Sequence, residues 1–177
     1  MEGLAFFDTK IGTCGIAWGE HGIRGVQLPE SDADATRARL QRRFPNATAS
    51  QTPVDILLAI GRIVALLRGE RVDLSPIVLD MTGISEFDKR VYIAARAIPA
   101  GHTKTYGEIA RLIGEPNAAR EVGASLGRNP FAIIVPCHRV LAANGKTGGF
   151  SAAQGVKTKL ELLNIEGGGG PLFEQLG

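Results

Sequence analysis

Apolar positions recur with period two in the first part of the chain and with helical spacing in the second. In Gly12 to Trp18 the alternation puts Cys14, Ile16 and Trp18 on one face of a strand. Gly19-Glu20-His21-Gly22 makes a turn, and Ile23 to Leu28 continues as the next strand, so the N-terminal third reads as a short β-meander. On this pattern Cys14 is a core residue and His21 a solvated turn residue. A helix follows from Asp32 to Phe44 with Ser31 as its cap, its several arginines forming a solvated face. A second helix runs from Pro53 to Arg68, capped by Thr52, with Pro53 in the first turn and Gly69 as its stop. Val72 to Asp80 alternates like a strand around Pro76, which predicts an edge position.

From Ser85 the period changes. Ser85 and Asp88 form a capping-box pattern, and Phe87, Val91, Ala94, Ala95 and Ile98 keep helical spacing until Pro99. Thr105 and Glu108 form a second box, with Ile109, Leu112 and Ile113 on the apolar face and Gly114 as the end. Asn117 caps a third short helix through Val122 and Leu126 to Gly127. Three helices with tight Gly- and Pro-containing connections fit a helix-turn-helix arrangement. The third is rich in small residues (Ala118, Ala119, Gly123, Ala124, Ser125), which suits close approach to a nucleic-acid groove and equally suits packing against another helix. Gly145 to Gly155 reads as a loop, Val156 to Ile165 as a helix with Leu160, Leu162, Leu163 and Ile165 toward the core, and Gly167 to Gly170 as the end of the folded part.

The chain of 177 residues is long enough for one larger domain or two small ones. Its formal net charge of +2 conceals an asymmetry: residues 1–84 hold 9 Lys and Arg against 10 Asp and Glu, whereas residues 85–167 hold 11 against 7. The basic half favours a polyanionic partner, although a solvated surface explains so modest an excess as well. Two cysteines provide no disulfide framework and fit a reducing, cytoplasmic compartment. The first residues do not read as a secretory signal, and no apolar run predicts a membrane span. Two Cys and three His without paired spacing predict no metal.

Chemistry concentrates in Ile133-Ile134-Val135-Pro136-Cys137-His138-Arg139-Val140. Pro136 lacks an amide proton and biases Val135 away from helix, so Cys137 sits where a strand ends or turns. Its cationic neighbours should stabilise a thiolate. A buried, unreactive small hydrophobe is the plainer fate of a free cysteine; Pro136, His138 and Arg139 favour the nucleophile. His138 can accept the thiol proton, and Glu166 can hold its imidazole in the useful tautomer. Adjacent residues of an extended chain point to opposite faces, so either the backbone turns at Cys137 or a water relays the proton.

Pro136-Cys137-His138-Arg139-Val140 resembles the active-site signature of the 6-O-methylguanine-DNA methyltransferases, the methylated-DNA–protein-cysteine S-methyltransferases. The likeness runs from Thr105-Tyr106 through Ala118-Ala119-Arg120 and Gly127-Arg128-Asn129-Pro130 to Glu166-Gly167, covering roughly residues 85 to 167. One related group carries tryptophan in place of the cysteine; Cys137 puts this chain with the reactive members. The resemblance implies a water between Cys137 and His138 with Glu166 completing the relay. It implies that Tyr106 donates to the departing guanine and crowds the 3′ phosphate, that Arg120 enters the base stack, and that Asn129 ties the recognition helix to the cysteine segment. It also implies DNA contacts at Ala119, Ser125 and Arg128, and a base pocket lined by Val140, Phe150 and Ser151. Phe150 stands where many relatives have tyrosine, and the stretch from Ser151 to Glu166 is two residues longer than the commonest pattern.

The reading is therefore an α/β protein of two domains. Residues 1–84 form a small ribonuclease H-like α/β domain, and residues 85–177 a mostly helical, winged-helix-like domain that binds DNA and bears the alkyl acceptor. The expected function is direct reversal of 6-O-alkylguanine, and of 4-O-alkylthymine, in double-stranded DNA. The alkyl group would pass stoichiometrically to Cys137, with no cofactor, in a monomer. Non-enzymatic binding of alkylated DNA is the alternative, and a DNA-independent thiol hydrolase or peroxidase a second. An alkyl group on guanine lies inside the stack, so any such chemistry requires the nucleotide to flip out.

Overall fold

A computed structural model describes residues 2–143 and 155–167. Apart from Gly155, the loop expected at 145–155 lies outside them. Two compact units emerge: Met1–Thr82 with Pro130–Ile134, and Gly83–Asn129 with Val135–Gly177. The pattern predicts one break after residue 84; the structure instead returns Pro130–Ile134 to the first unit.

In the first unit, β1 (Gly3–Thr9), β2 (Gly12–Gly19) and β3 (Gly22–Gln27) form an antiparallel sheet in that order. Cys14, Ile16 and Trp18 are buried on their shared face as the alternation requires. The opposite face is covered too, because α1 (Ala33–Arg43) places Leu40 in a cluster with Leu4, Ala17, Phe44 and Ala47. Gly15 permits that approach: a Cβ there would lie 2.7 Å from a Leu40 methyl. Each fully buried aliphatic side chain of this kind contributes about 1.5–3 kcal/mol. The cap of α1 is Asp32 rather than Ser31, its Oδ1 accepting the Ala35 N–H at 2.7 Å. α2 (Val54–Leu67) starts after Pro53, not Thr52, and buries Ile56, Ala59, Ile63, Leu66 and Leu67.

Val72 to Asp80 is not a strand. Pro76 has no amide proton and falls in a turn closed by Ile77 N–H to Leu74 O, so only Leu79 bridges to Ile23 of β3. The sheet gains a different neighbour. Val26 N–H donates to Pro130 O at 2.9 Å, and Val26 bridges to Phe131, which is buried.

In the second unit, α3 (Glu86–Arg96), α4 (Tyr106–Leu112) and α5 (Ala119–Gly127) pack together through Val91, Tyr92, Ala95, Ile109, Ala110, Val122 and Leu126. Ser85 accepts the Asp88 N–H at 3.1 Å, and Thr105 with Glu108 closes a full capping box. α5 is capped at Ala118 without a side-chain bond, so Asn117 is not its cap. Lys104–Thr105 (β4) pairs in parallel with Val140–Leu141 (β5). α6 (Val156–Ile165) occupies its predicted span, but Thr158 and Lys159 are buried with Leu162 and Leu163. A small α/β unit and a helical unit of helix-turn-helix type make up the fold.

Candidate active site

Two three-residue turns deliver Cys137. Ile134 N–H donates to Ala132 O at 2.9 Å around Ile133, whose φ of 74° is left-handed. Cys137 N–H donates to Val135 O at 2.8 Å around Pro136, at φ −81° and ψ 68°. Arg139 N–H then reaches Pro136 O at 2.9 Å, so Cys137–Arg139 is a single 3-10 turn. The backbone therefore does turn at Cys137. Asn129 is buried just past the C-terminus of α5, and its Nδ2 donates to Val135 O at 2.9 Å. One side chain thus joins the end of α5 to the residue two before the cysteine.

His138, Arg139 and Glu166 form a buried cluster. His138 Nε2 lies 2.9 Å from Glu166 Oε1, and Arg139 Nε bonds both carboxylate oxygens at 3.0 and 3.2 Å. Arg139 Nη2 also donates to Glu166, while Nη1 donates to Ile98 O at 2.6 Å. Burial alone would raise the Glu166 pKa, but hydrogen bonds and charge from His138 and Arg139 outweigh it and hold the carboxyl at about 2. Burial lowers the His138 pKa despite Glu166, which leaves a neutral imidazole. With Nε2–H given to the carboxylate, Nδ1 is the basic nitrogen. It is buried and has no hydrogen-bond partner among the described residues.

Cys137 departs from expectation in one respect. Its thiol pKa is raised, not lowered, because complete burial outweighs every favourable contact. Arg139 directs its charge to Glu166 and His138 is neutral, so the adjacent cations do not produce a resting thiolate. The groups that favour the anion are Asn129, Lys159 and the backbone at Cys137 and His138.

Lys159 and the part played by Arg139 are the elements that residue-by-residue reading misses. Lys159 is 1% exposed, donates from Nζ to Val140 O at 2.7 Å, and sits 5.9 Å over the Tyr106 ring. Burial brings its pKa down to about 8, with Cys137 pulling the other way. Its spacing of two helical turns before Glu166 puts both on one helix face, a signal present in the sequence. Tyr106, first residue of α4, is half-buried with a raised pKa from burial and from Cys137, and so remains a phenol donor.

The expected DNA contacts divide. Arg120 is exposed and Ala119 half-buried in the first turn of α5. Ser125 is fully buried, which removes its side chain from any accessible face and corrects that expectation. Arg128 is exposed but engaged with Asp88, at 2.9 Å from Nη2 and 3.4 Å from Nε. Val140 is buried against Lys159. Phe150 and Ser151 lie outside the described residues.

Geometry thus defines a cysteine–histidine–carboxylate site on a helix-turn-helix scaffold. The family model for the DNA-binding domain of 6-O-methylguanine DNA methyltransferase matches residues 86–168. The methylated-DNA–protein-cysteine methyltransferase of Mycolicibacterium paratuberculosis is 46% identical over 144 residues, which span 80% of this chain and 85% of that one. The structure of the Mycobacterium tuberculosis O6-methylguanine methyltransferase superposes with a TM-score of 0.72 at 34% identity, covering 94% of this chain and 93% of that one. The Mycobacterium tuberculosis OGT solved in complex with DNA gives 0.71 at 34% identity, over 92% and 91%. The chain belongs to the methylated-DNA–protein-cysteine methyltransferase family.

Proposed function

We propose that this protein repairs alkylated DNA by transferring the alkyl group of 6-O-alkylguanine, and of 4-O-alkylthymine, once and irreversibly to Cys137. The observation that carries the proposal is the buried cluster in which Glu166 orients His138 and leaves Nδ1 as a base beside the Cys137 turn. The thiol proton passes through a water to His138 Nδ1. The sulfur then attacks the alkyl carbon, the carbon–oxygen bond breaks, and guanine leaves with the Tyr106 hydroxyl proton, which the proton taken up by His138 replaces through solvent. An S-alkyl thioether remains. Lys159 and Asn129 favour the sulfur anion during the step, so the charge is needed only as the substrate arrives.

Double-stranded DNA carrying the lesion is the partner, bound through α5 with Arg120 replacing the extruded nucleotide. Ala119 lies against the same groove, and Arg128 contributes from its Asp88-braced position. Val140 is the described residue that would line the base pocket. Residues 85–177 supply the DNA-binding and alkyl-acceptor domain and residues 1–84 the N-terminal domain, with Pro130–Ile134 the piece that packs in the first unit. A monomer acting in the cytoplasm belongs to the same proposal. Separately, no described helix is long and apolar enough to cross a membrane. Mass spectrometry after incubation with an alkylated oligonucleotide tests the proposal. One alkyl group on Cys137 is expected, and an unmodified Cys137 beside intact lesion would point to lesion binding alone.

A further inference from the structure

Asp88 and Arg128 meet across α3 and α5, although 40 positions separate them in sequence. Asp88 stands in the first turn of α3, its backbone N–H bonded to Ser85 Oγ at 3.1 Å. Its carboxylate is nearly buried, with 12% of the side chain exposed, and accepts from Arg128 Nη2 at 2.9 Å and Nε at 3.4 Å. Burial works against that charge, but hydrogen bonds and the Arg128 guanidinium outweigh it and hold the Asp88 pKa below its ordinary value. The carboxylate is therefore anionic at neutral pH, at the positive end of α3.

Joining α3 to α5 does not need this pair. Val91, Tyr92, Ala95, Val122 and Leu126 are buried, and the Tyr92 hydroxyl donates to Ser125 O at 2.8 Å. With 59% of the Arg128 side chain exposed, the ion pair adds little stability of its own. Nor does the guanidinium cap α5: the Arg128 backbone N–H reaches Ala124 O and Ser125 O, and the Asn129 N–H reaches Leu126 O. What the pair does is fix direction. Nε and Nη2 face Asp88, and the other edge of the planar group, Nη1–H with the second Nη2–H, makes no hydrogen bond among the described residues. Such an edge is a fork of the geometry that two phosphate oxygens accept. Arg120 is exposed on the same helix, about 12 Å away along the axis at the helical rise. Ala124 and Gly127 between them are exposed and small, and a Cβ on Gly127 would meet nothing within 4 Å. A polyanionic backbone can approach this side of α5 closely.

We propose that Asp88 is a positioning residue for DNA binding: it grips one edge of the Arg128 guanidinium and so turns the opposite fork of N–H groups outward, to a phosphate of the DNA backbone. This rests on the proposed binding of double-stranded DNA through α5. A carboxylate beside a polyanion is repelled by it, so its presence there is useful only if the order it imposes on Arg128 outweighs that repulsion. The two effects have opposite signs, which makes them separable.

The test is fluorescence anisotropy of a labelled duplex oligonucleotide at several salt concentrations. Wild type is compared with Asp88→Asn, Arg128→Ala, Arg128→Lys and the double variant Asp88→Asn with Arg128→Ala, each shown to be folded by circular dichroism. Arg128→Ala should weaken binding and reduce the salt slope by about one. Asp88→Asn removes a negative charge, so electrostatics alone predicts tighter binding. Positioning predicts binding weaker by about two- to tenfold, the scale of ordering one long side chain on contact. In the Arg128→Ala background the same substitution should no longer weaken binding. Arg128→Lys has no second edge, so it should bind more weakly than wild type while keeping the salt slope. Asp88→Asn that binds as tightly as wild type or tighter, or that weakens binding equally with and without Arg128, overturns the proposal. Should Asp88→Asn not fold, Arg128→Lys decides: weaker binding at an unchanged slope supports the role, and wild-type affinity refutes it. Wild-type protein that does not bind duplex DNA would instead overturn the DNA-binding reading, and this proposal with it.

Discussion

Replacing Glu166 by glutamine tests the buried cluster most sharply. Donors from His138 Nε2, Arg139 Nε and Arg139 Nη2 converge on the two carboxylate oxygens. A glutamine keeps one acceptor oxygen and turns the other position into a donor, so an N–H must face another N–H. It also strips the counter-charge from Arg139, which is 7% exposed. Removing one partner of a buried pair costs about 3–5 kcal/mol. A second route gives a similar size: a carboxyl held at about 2 instead of 4.5 corresponds to about 3 kcal/mol at neutral pH. At about 2–4 °C per kcal/mol for a chain of this length, Tm should fall by roughly 6–20 °C.

The sign with pH is fixed by the depressed pKa. The stabilisation is fully present above the unfolded value of 4.5 and is lost as pH falls toward about 2. The Tm gap between wild type and Glu166→Gln should therefore be wide at neutral pH and shrink in strong acid. Alkyl transfer should slow by about 10²–10⁴-fold, the usual contribution of a positioned base, with DNA affinity kept. Cys137 should also react more slowly with a small alkylating reagent at neutral pH. Thermal melts across pH and single-turnover transfer decide the matter. A Tm gap independent of pH, together with unchanged transfer, would reduce Glu166 to a helix-end charge.

Three further outcomes are expected. Cys137→Ser should lose transfer while keeping DNA affinity, and Cys14→Ser should transfer normally, since Cys14 is buried with its pKa raised to about 12; sustained turnover by a small amount of protein would refute the single-use mechanism. Arg120→Ala should slow transfer from duplex DNA more than it weakens binding and should nearly spare the free base, whereas an equal loss on duplex, mispaired and free-base substrates would remove the extrusion role. Lys159→Met should push the Cys137 pKa still higher, shifting the pH profile of its reaction with a small thiol reagent to higher pH; an unmoved profile would show that Lys159 does not act on the sulfur.

Local signals carried well where a short-range rule decides the structure. The alternation through Cys14, Ile16 and Trp18, the Thr105–Glu108 capping box and the span of α6 all follow from neighbours in sequence. Interactions set by tertiary pairing did not carry. Val72 to Asp80 has the alternation of a strand, yet Pro76 and a local turn leave a single bridge. The place beside β3 goes to Phe131, more than a hundred residues away in sequence. Ser125 looks like a groove-facing small residue, but its backbone carbonyl accepts the Tyr92 hydroxyl at 2.8 Å and its side chain is fully buried. Arg43 obeys the same logic in reverse: helical spacing cannot reveal that a guanidinium on the last residue of α1 finds three acceptors.

The cysteine itself shows why identity of neighbours is a poor guide to charge. His138 and Arg139 look like thiolate stabilisers, yet the 3-10 turn directs both to Glu166, and the sulfur is left with the desolvation penalty. A resting thiol beside a neutral imidazole carries no net charge into a buried site, which is the state of lower free energy when no substrate is present. On the proposed mechanism, charge would separate only when a proton moves to His138, beside which Glu166 is already in place to balance an imidazolium. An acceptor that can react once gains from this order of events, since a permanent thiolate would be consumed by any electrophile it met. On the proposed mechanism, burial protects the nucleophile, and the Glu166–His138 pair with Lys159 would make it available at the moment the alkyl carbon arrives.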